Sequence, residues 1–231
     1  MESHLPLRLY KYQAYNIQNL DNLKNKCLWF SKPSGFNDPF DCSIPYLLGE
    51  KSSTEWDILY EQVKKIWMDA KDQQNKELLA NLFENEKPSE DFKKSYILGY
   101  HLGWRKLVED NFSQKGIACF SEKWDDILMW SHYADGHRGF CLEFDTGFVP
   151  FSMAKQVHYS DLLPLLPLED GNADLIESLA TTKSNNWCYE KEWRIFNEYG
   201  DVEYGLNPGA LKGIYLGSEM SNIHDSARVF L

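Results

Sequence analysis

The chain has 231 residues, 43% hydrophobic and 15% aromatic, and a net charge of −11 at neutral pH. That length and apolar content specify a globular chain with one good-sized core, not a disordered one, and the acidic balance opposes a broad nucleic-acid-binding surface, which needs a basic face. No stretch approaches the roughly 18 apolar residues of a membrane span, and MESHLPLRLYKY lacks the basic and apolar regions of a signal peptide, so a cytoplasmic single domain over 1–231 is expected.

LRLYKYQ (7–13) alternates and predicts a first strand, with Leu7, Leu9 and Lys11 on one face. NIQNLDNLKNKC carries Ile17, Leu20 and Leu23 at helical spacing, and CLWFS (27–31) predicts a second strand. KPSGFNDPFD is turn chemistry throughout. From about 54 to 112 the pattern is helical. Trp56, Leu59, Val63, Ile66 and Trp67 form one apolar stripe, broken near Pro88, and Phe92, Tyr96, Gly99, Gly103 and Leu107 form another, which predicts a helical hairpin inserted between strands.

GIACFS (116–121) predicts a strand, and DDILMWSHYADG a short helix with an Asp at its start and Gly136 as its stop. RGFCLEFD (138–145) alternates, with Phe140, Leu142 and Phe144 on one side. AKQVHYS predicts a strand, NADLIESLATTKS a helix, and EWRIF and GIYLG the last strands. The total is about seven short strands irregularly interrupted by helices, an α+β pattern.

The five cysteines, Cys27, Cys42, Cys119, Cys141 and Cys188, are widely spaced with no CxxC, which opposes structural zinc. Cys119 and Cys141 lie in apolar runs and are expected as small buried hydrophobes. YEKEWRIF (189–196) raises the sharpest question. Read as a strand, it sends Glu190, Glu192 and Arg194 to one face and Trp193 and Ile195 to the other. Two readings stay open: a solvated ion-paired edge worth under about 1 kcal/mol, or the acid end of an active site. Lys11 is either a solvated strand end or an anion ligand. Trp130 and Tyr133, three apart on a short helix, suit core packing or ring stacking, while His132 and His137 flank the helix end, where the dipole favours an imidazolium.

Six segments then carry a resemblance: LYKYQ, LWFSKPSGFNDPFD, GIACFSE, DILMWSHYADGHRGFCLEFD, YEKEWRIF and LKGIYLG, in that order. Together, from about Leu9 to Gly217, they resemble the bacterial and phage-associated family named domain of unknown function 2971. The order of elements is also similar to the ADP-ribosyltransferase fold, which carries a basic residue or His on its first strand, a Ser or aromatic on a middle strand and a Glu opening a later one. This second resemblance implies an α+β domain with a split mixed or antiparallel sheet. It implies an enzyme that cleaves NAD as substrate and transfers ADP-ribose to an acceptor, as a bacterial toxin or phage-defence effector would.

On that resemblance Glu192 faces the cationic ribose, Glu190 positions or deprotonates the acceptor, and Ser121 orients Glu192. Lys11 or Arg138 takes the pyrophosphate charge, and Tyr133 or Trp130 stacks on the nicotinamide. Tyr12, Phe36, Asn37, Asp38 and Arg194 complete the expected wall for this nucleotide-like ligand. The chain departs from the pattern where Lys11 replaces the usual Arg or His and where Ser121 alone stands for a Ser-Thr-Ser element. No metal is expected on this reading.

Two alternatives come from other classes. Asp38, Asp41, Asp125, Asp126, Glu143 and Asp145 offer carboxylates for a magnesium-dependent nuclease, although their spacing matches no nuclease motif. A non-catalytic binding module would line a pocket with the FNDPFD loop and the Trp/Tyr helix.

Overall fold

The computed structural model describes residues 4–38, 41–42, 47–48, 51–162, 165–166 and 173–220. Pro39 and Phe40 of the FNDPFD loop lie outside the described residues. The chain divides into two compact units: Met1–Pro45, Asp110–Pro164 and Asn172–Leu231 form the first, Tyr46–Glu109 and Leu165–Gly171 the second.

In chain order the elements begin with β1 (Arg8–Gln13), α1 (Ile17–Lys24), β2 (Cys27–Phe30), β3 (Leu47–Leu48), α2 (Ser53–Asp69), α3 (Gln73–Leu79) and α4 (Glu90–Phe112). There follow β4 (Gly116–Ser121), α5 (Ile127–Tyr133), β5 (Phe140–Asp145), β6 (Lys155–Gln156), β7 (His158–Tyr159) and β8 (Leu165–Leu166). The chain continues with α6 (Ala173–Ala180), β9 (Thr182–Lys183), β10 (Glu192–Asn197), β11 (Val202–Gly205) and β12 (Leu211–Leu216). The molecule is thus α+β.

The first unit is organised by a six-stranded sheet of order β12-β5-β1-β4-β10-β6, antiparallel at every junction. One face carries the main core. Leu9, Phe120, Phe140, Leu142, Phe144, Trp193 and Ile195 point into it from alternate positions, and Leu20 and Leu23 of α1 pack against it. This is the period-two pattern read from RGFCLEFD and EWRIF. The opposite face of the β1–β5 half is covered by α5, whose Met129 and Trp130, with Ala134 at its C-terminal cap, pack with Tyr12 and Cys141. Asp126 caps that helix, accepting hydrogen bonds from the Leu128 and Met129 amides at 2.9 and 3.2 Å, as its place before the apolar run dictates.

β4 is fully paired with β10 from Gly116 to Ser121. On its other side it meets β1 at a single register pair, Tyr10 with Ser121, and Ser31 after β2 through an isolated bridge at Ile117. Between these two points the ladder opens.

The second unit is helical around Trp56, Tyr60, Phe83 and Phe92. Ser52 and Glu55 form a reciprocal capping box at the start of α2, the arrangement that satisfies two orphan amides at once. Three helices stand where the periodicity predicts a hairpin of two. Trp67 ties the added helix in: its indole donates to the Lys76 carbonyl of α3 at 3.1 Å and its ring stacks at 4.9 Å on Phe83, just beyond α3. Other departures concern very short elements. AKQVHYS is split into β6 and β7, which pair with β10 and, in parallel, with β9.

Candidate functional site

The opening between β1 and β4 is the mouth of a cavity of about 330 Å³ lined by Lys11, Tyr12, Phe36, Asn37, Ser121, Tyr133, Glu190 and Glu192, together with Tyr10, Asp41, Cys119, His132 and Lys183. In an antiparallel strand every second residue turns its amide and carbonyl to the same side. Ile117 and Ser121 are paired on that side, so Cys119 between them has lost its ladder partner. Its carbonyl accepts a hydrogen bond from Lys11 Nζ at 3.1 Å, which also lies 5.2 Å from the Phe120 ring centroid. Desolvation by burial lowers the Lys11 pKa, opposed by the neighbouring Cys119 and Glu192. Among the described residues no carboxylate lies within ion-pair distance of this amine.

The cavity wall is part of a buried network of charge. Arg194 is 0% exposed, Glu190 2%, Glu192 4%, Lys183 5% and Asp41 8%. Arg194 grips Asp41 in a bidentate pair, both bonds 2.7 Å, and binds Glu192 through Nε at 2.7 Å and a terminal nitrogen at 3.0 Å. It also donates to the Ala180 carbonyl at 2.7 Å. Lys183 Nζ lies 2.6 Å from Glu190, 2.9 Å from Glu192 and 3.5 Å from Asp41. Tyr133 donates its hydroxyl to the other oxygen of Glu190 at 2.6 Å, and the Glu192 amide donates to the Tyr159 hydroxyl at 2.8 Å.

The two glutamates therefore differ. Burial alone raises both carboxyls. For Glu192 that effect is overridden by Arg194 and Lys183, which hold its pKa down at about 2. For Glu190 desolvation prevails over the charge of Lys183, with the negative charge of Glu192 adding to it, and the pKa is raised. A pair of neighbouring acids driven in opposite directions is the electrostatic pattern of acid–base sites.

Several expectations need correction here. The solvated-edge reading of YEKEWRIF fails, because both acids and the guanidinium are buried. Nor does the strand include Glu190. Residues Asn185–Glu190 form a 3₁₀ turn that exits through Lys191 in the left-handed region (φ 46°), and β10 starts at Glu192. A non-glycine residue there is uncommon. Ser121 does not orient the Glu192 carboxylate: its hydroxyl donates to the Glu190 carbonyl at 2.6 Å and accepts from the Lys123 amide at 3.0 Å. It anchors the turn that carries Glu190, because Glu192 already has both oxygens occupied.

Arg138 lies outside the cavity lining and pairs with Asp135 at 2.8 Å on the exposed surface, since the turn after α5 carries its own acid within reach. Trp130 is a core ring, edge-on to Tyr12 at 5.2 Å with its indole donating to the Trp124 carbonyl at 2.8 Å. Arg194 stands behind the lining, not in it, with Phe36 5.8 Å over its guanidinium. Asn37 joins the network by donating to the Tyr133 hydroxyl at 3.4 Å. Asp38 is not among the lining residues. Cys141 is fully buried, whereas Cys119 is half-buried at the cavity.

The carboxylates expected of a magnesium site are dispersed: Asp126 caps α5, and Glu143 and Asp145 pair with Arg8 at 3.0 Å each. Among the described residues no group of three or more His, Cys, Asp or Glu is arranged to hold a metal ion, and no helix is long and apolar enough to cross a membrane. The sequence reading missed Lys183 altogether, and it saw Asp41 only as a turn residue or metal ligand. Nothing in TTKS marks the lysine, because its partners are brought to it by other segments. Comparisons with protein-family models, with curated proteins and with solved structures give no match, so the functional reading rests on the chemistry of this cavity.

Proposed function

We propose that this chain is an ADP-ribosyltransferase-like enzyme that cleaves NAD and passes ADP-ribose to an acceptor. The observation that carries the reading is the convergence of Lys11, Ser121 and Glu192, from three neighbouring strands far apart in sequence, on one cavity at the opened β1–β4 ladder. The resemblance implies a split sheet, and the parting of β1 and β4 after one register pair supports that reading. The cavity falls at the lower end of the size of small-molecule sites and suits the nicotinamide–ribose half of the dinucleotide.

In the reaction the bond between ribose C1′ and the nicotinamide nitrogen breaks, the bonding pair leaves with nicotinamide, and positive charge develops on the ribose as in glycoside hydrolysis. Glu192, held ionised, is a fixed negative charge aimed at that centre, and such a charge stabilises the transition state more than the ground state. The acceptor lone pair forms the new bond to C1′, and its proton passes to Glu190. Lys11, which has no carboxylate within ion-pair distance among the described residues, is left for the pyrophosphate. Tyr133 and Phe36 offer rings to the nicotinamide. The family resemblance carries with it a bacterial toxin or phage-defence setting.

A second reading, a binding module without chemistry, is favoured by one observation: both Glu192 oxygens are already held by Arg194 and Lys183. One experiment separates them. NAD at a hundred times its dissociation constant should stabilise the protein by about 2.7 kcal/mol, magnesium alone should not raise Tm, and nicotinamide should be released. Lys11→Met should weaken the NAD effect while leaving the fold intact, because it removes one hydrogen bond to a backbone carbonyl. NAD stabilisation without nicotinamide release would leave the binding module, and a magnesium shift without an NAD shift the nuclease.

A further inference from the structure

Glu190 can accept the acceptor's proton only if it is ionised when the ligand arrives, and its surroundings oppose that. Burial raises its pKa and the charge of Glu192 on β10 adds to that, while the hydroxyl that Tyr133 on α5 donates to one oxygen favours the ionised form, and the hydroxyls of Tyr159 and Tyr189 lie nearby. Two buried carboxylates on one wall do not both ionise unless a cation lies between them. Arg194 does not serve Glu190, since its guanidinium is spent on Asp41 and Glu192. Among the described residues Lys183 is the one cation within ion-pair distance of Glu190.

Its geometry fits that task. Lys183 donates hydrogen bonds to Glu190 in the 3₁₀ turn and to Glu192 on β10, and its ammonium lies 3.5 Å from Asp41 in the loop after β2. Its backbone is fixed by the parallel pairing of β9 with β7, and its remaining side is covered by the Trp187 ring, 5.2 Å from Nζ.

We infer that Lys183 is a positioning residue: by bridging Glu190 and Glu192 it holds the two acids on one wall of the cavity and keeps Glu190 available as a base at neutral pH. This rests on the proposed function for its consequence in catalysis, while the electrostatic link to Glu190 stands by itself. The largest influence on the Glu190 carboxyl is burial, which raises its pKa, and the largest opposing one is the charge of Lys183.

The test compares wild type with Lys183→Met, Lys183→Gln and Lys183→Arg by two readouts. The first is the pH profile of nicotinamide release in the presence of an acceptor. Removing an adjacent opposite charge raises a carboxyl by about 1 to 3 units, so the acid limb should move upward by that amount in the Met and Gln variants, and Lys183→Arg should restore it. The second is carboxyl ¹³C NMR of glutamate-labelled protein, with Glu190→Gln to assign the signal. The Glu190 midpoint should rise by at least about one unit in whichever uncharged variant folds. An unshifted midpoint overturns the inference whatever the activity. A wild type that releases no nicotinamide, with the midpoint shifted as expected, would sink the proposed function and leave the Lys183 link intact.

Discussion

The two faces of the β4–β10 pair are equally buried and differently made. One presents Phe120, Trp193 and Ile195 to the main core, each at most 2% exposed, and is held by the loss of apolar surface to water. The other presents Glu192, Arg194 and Ser121, at 4%, 0% and 0%, and is held by ion pairs and hydrogen bonds whose desolvation cost rivals their attraction. A sheet able to bury Trp193 on one side has no need of buried charge on the other for stability alone. Burial is not synonymous with core: the second face is organised around a cavity, and among the described residues the three carboxylates of its network, Asp41, Glu190 and Glu192, exceed the two cations that pair with them, Lys183 and Arg194, by one. Burial is the first cause of the raised Glu190 pKa, and the charge of Glu192 adds to it.

The charged face is most vulnerable at Arg194. Arg194→Met removes the partner of Asp41 and half the counter-charge of Glu192, and should cost about 3–5 kcal/mol, because buried carboxylates remain uncompensated; urea unfolding checks this. A mild change on the other face sharpens the contrast. Ile195→Val should cost only about 0.5–1.5 kcal/mol, with the NAD-dependent rise in Tm unchanged.

The faces should also separate by pH. Glu192 has a depressed pKa, about 2 against an ordinary 4.5, so its contribution is present above the ordinary carboxyl range and is lost as pH falls from there towards 2. Glu190 works in the opposite sense: its pKa is raised, so its contribution is full below the ordinary range and declines as pH rises through the folded-state value. Thermal unfolding between pH 2 and 6 should therefore show acid destabilisation that is shallower in Glu192→Gln, and an equal slope in both proteins would refute the ion-pair assignment. The smallest effect is expected from Arg138→Ala, outside the cavity and paired only on the surface. Neither unfolding by urea nor NAD binding should change measurably.

The strands with a clean period were legible from the sequence, β1, β2, β4, β5 and β12 among them, since alternation over four to six residues leaves one face to bury. The pairs β3–β8 and β7–β9 were not, because two residues carry no period. The start of β10 was misread for a local reason: Lys191 in the left-handed region ends a 3₁₀ turn, and no side chain of that stretch announces the turn. At the site the sequence supplied Glu190, Glu192 and Lys11 as candidates, yet it left open whether the acids were solvated. Exposure is a property of what packs above a strand, and Asp41, Lys183 and Tyr133 reach them from a loop, a two-residue strand and a helix.

Composition and periodicity by themselves determined an α+β chain with a two-faced sheet and an inserted helical segment, because hydrophobic spacing is a local quantity. Only the tertiary structure decided that β1 and β4 part after one register pair, that Lys11 fills the vacated hydrogen bond, and that Arg194 and Lys183 meet three carboxylates out of water. Those outcomes depend on contacts between segments distant in sequence, where electrostatic energy varies with distance and burial, and neither is written in the order of residues.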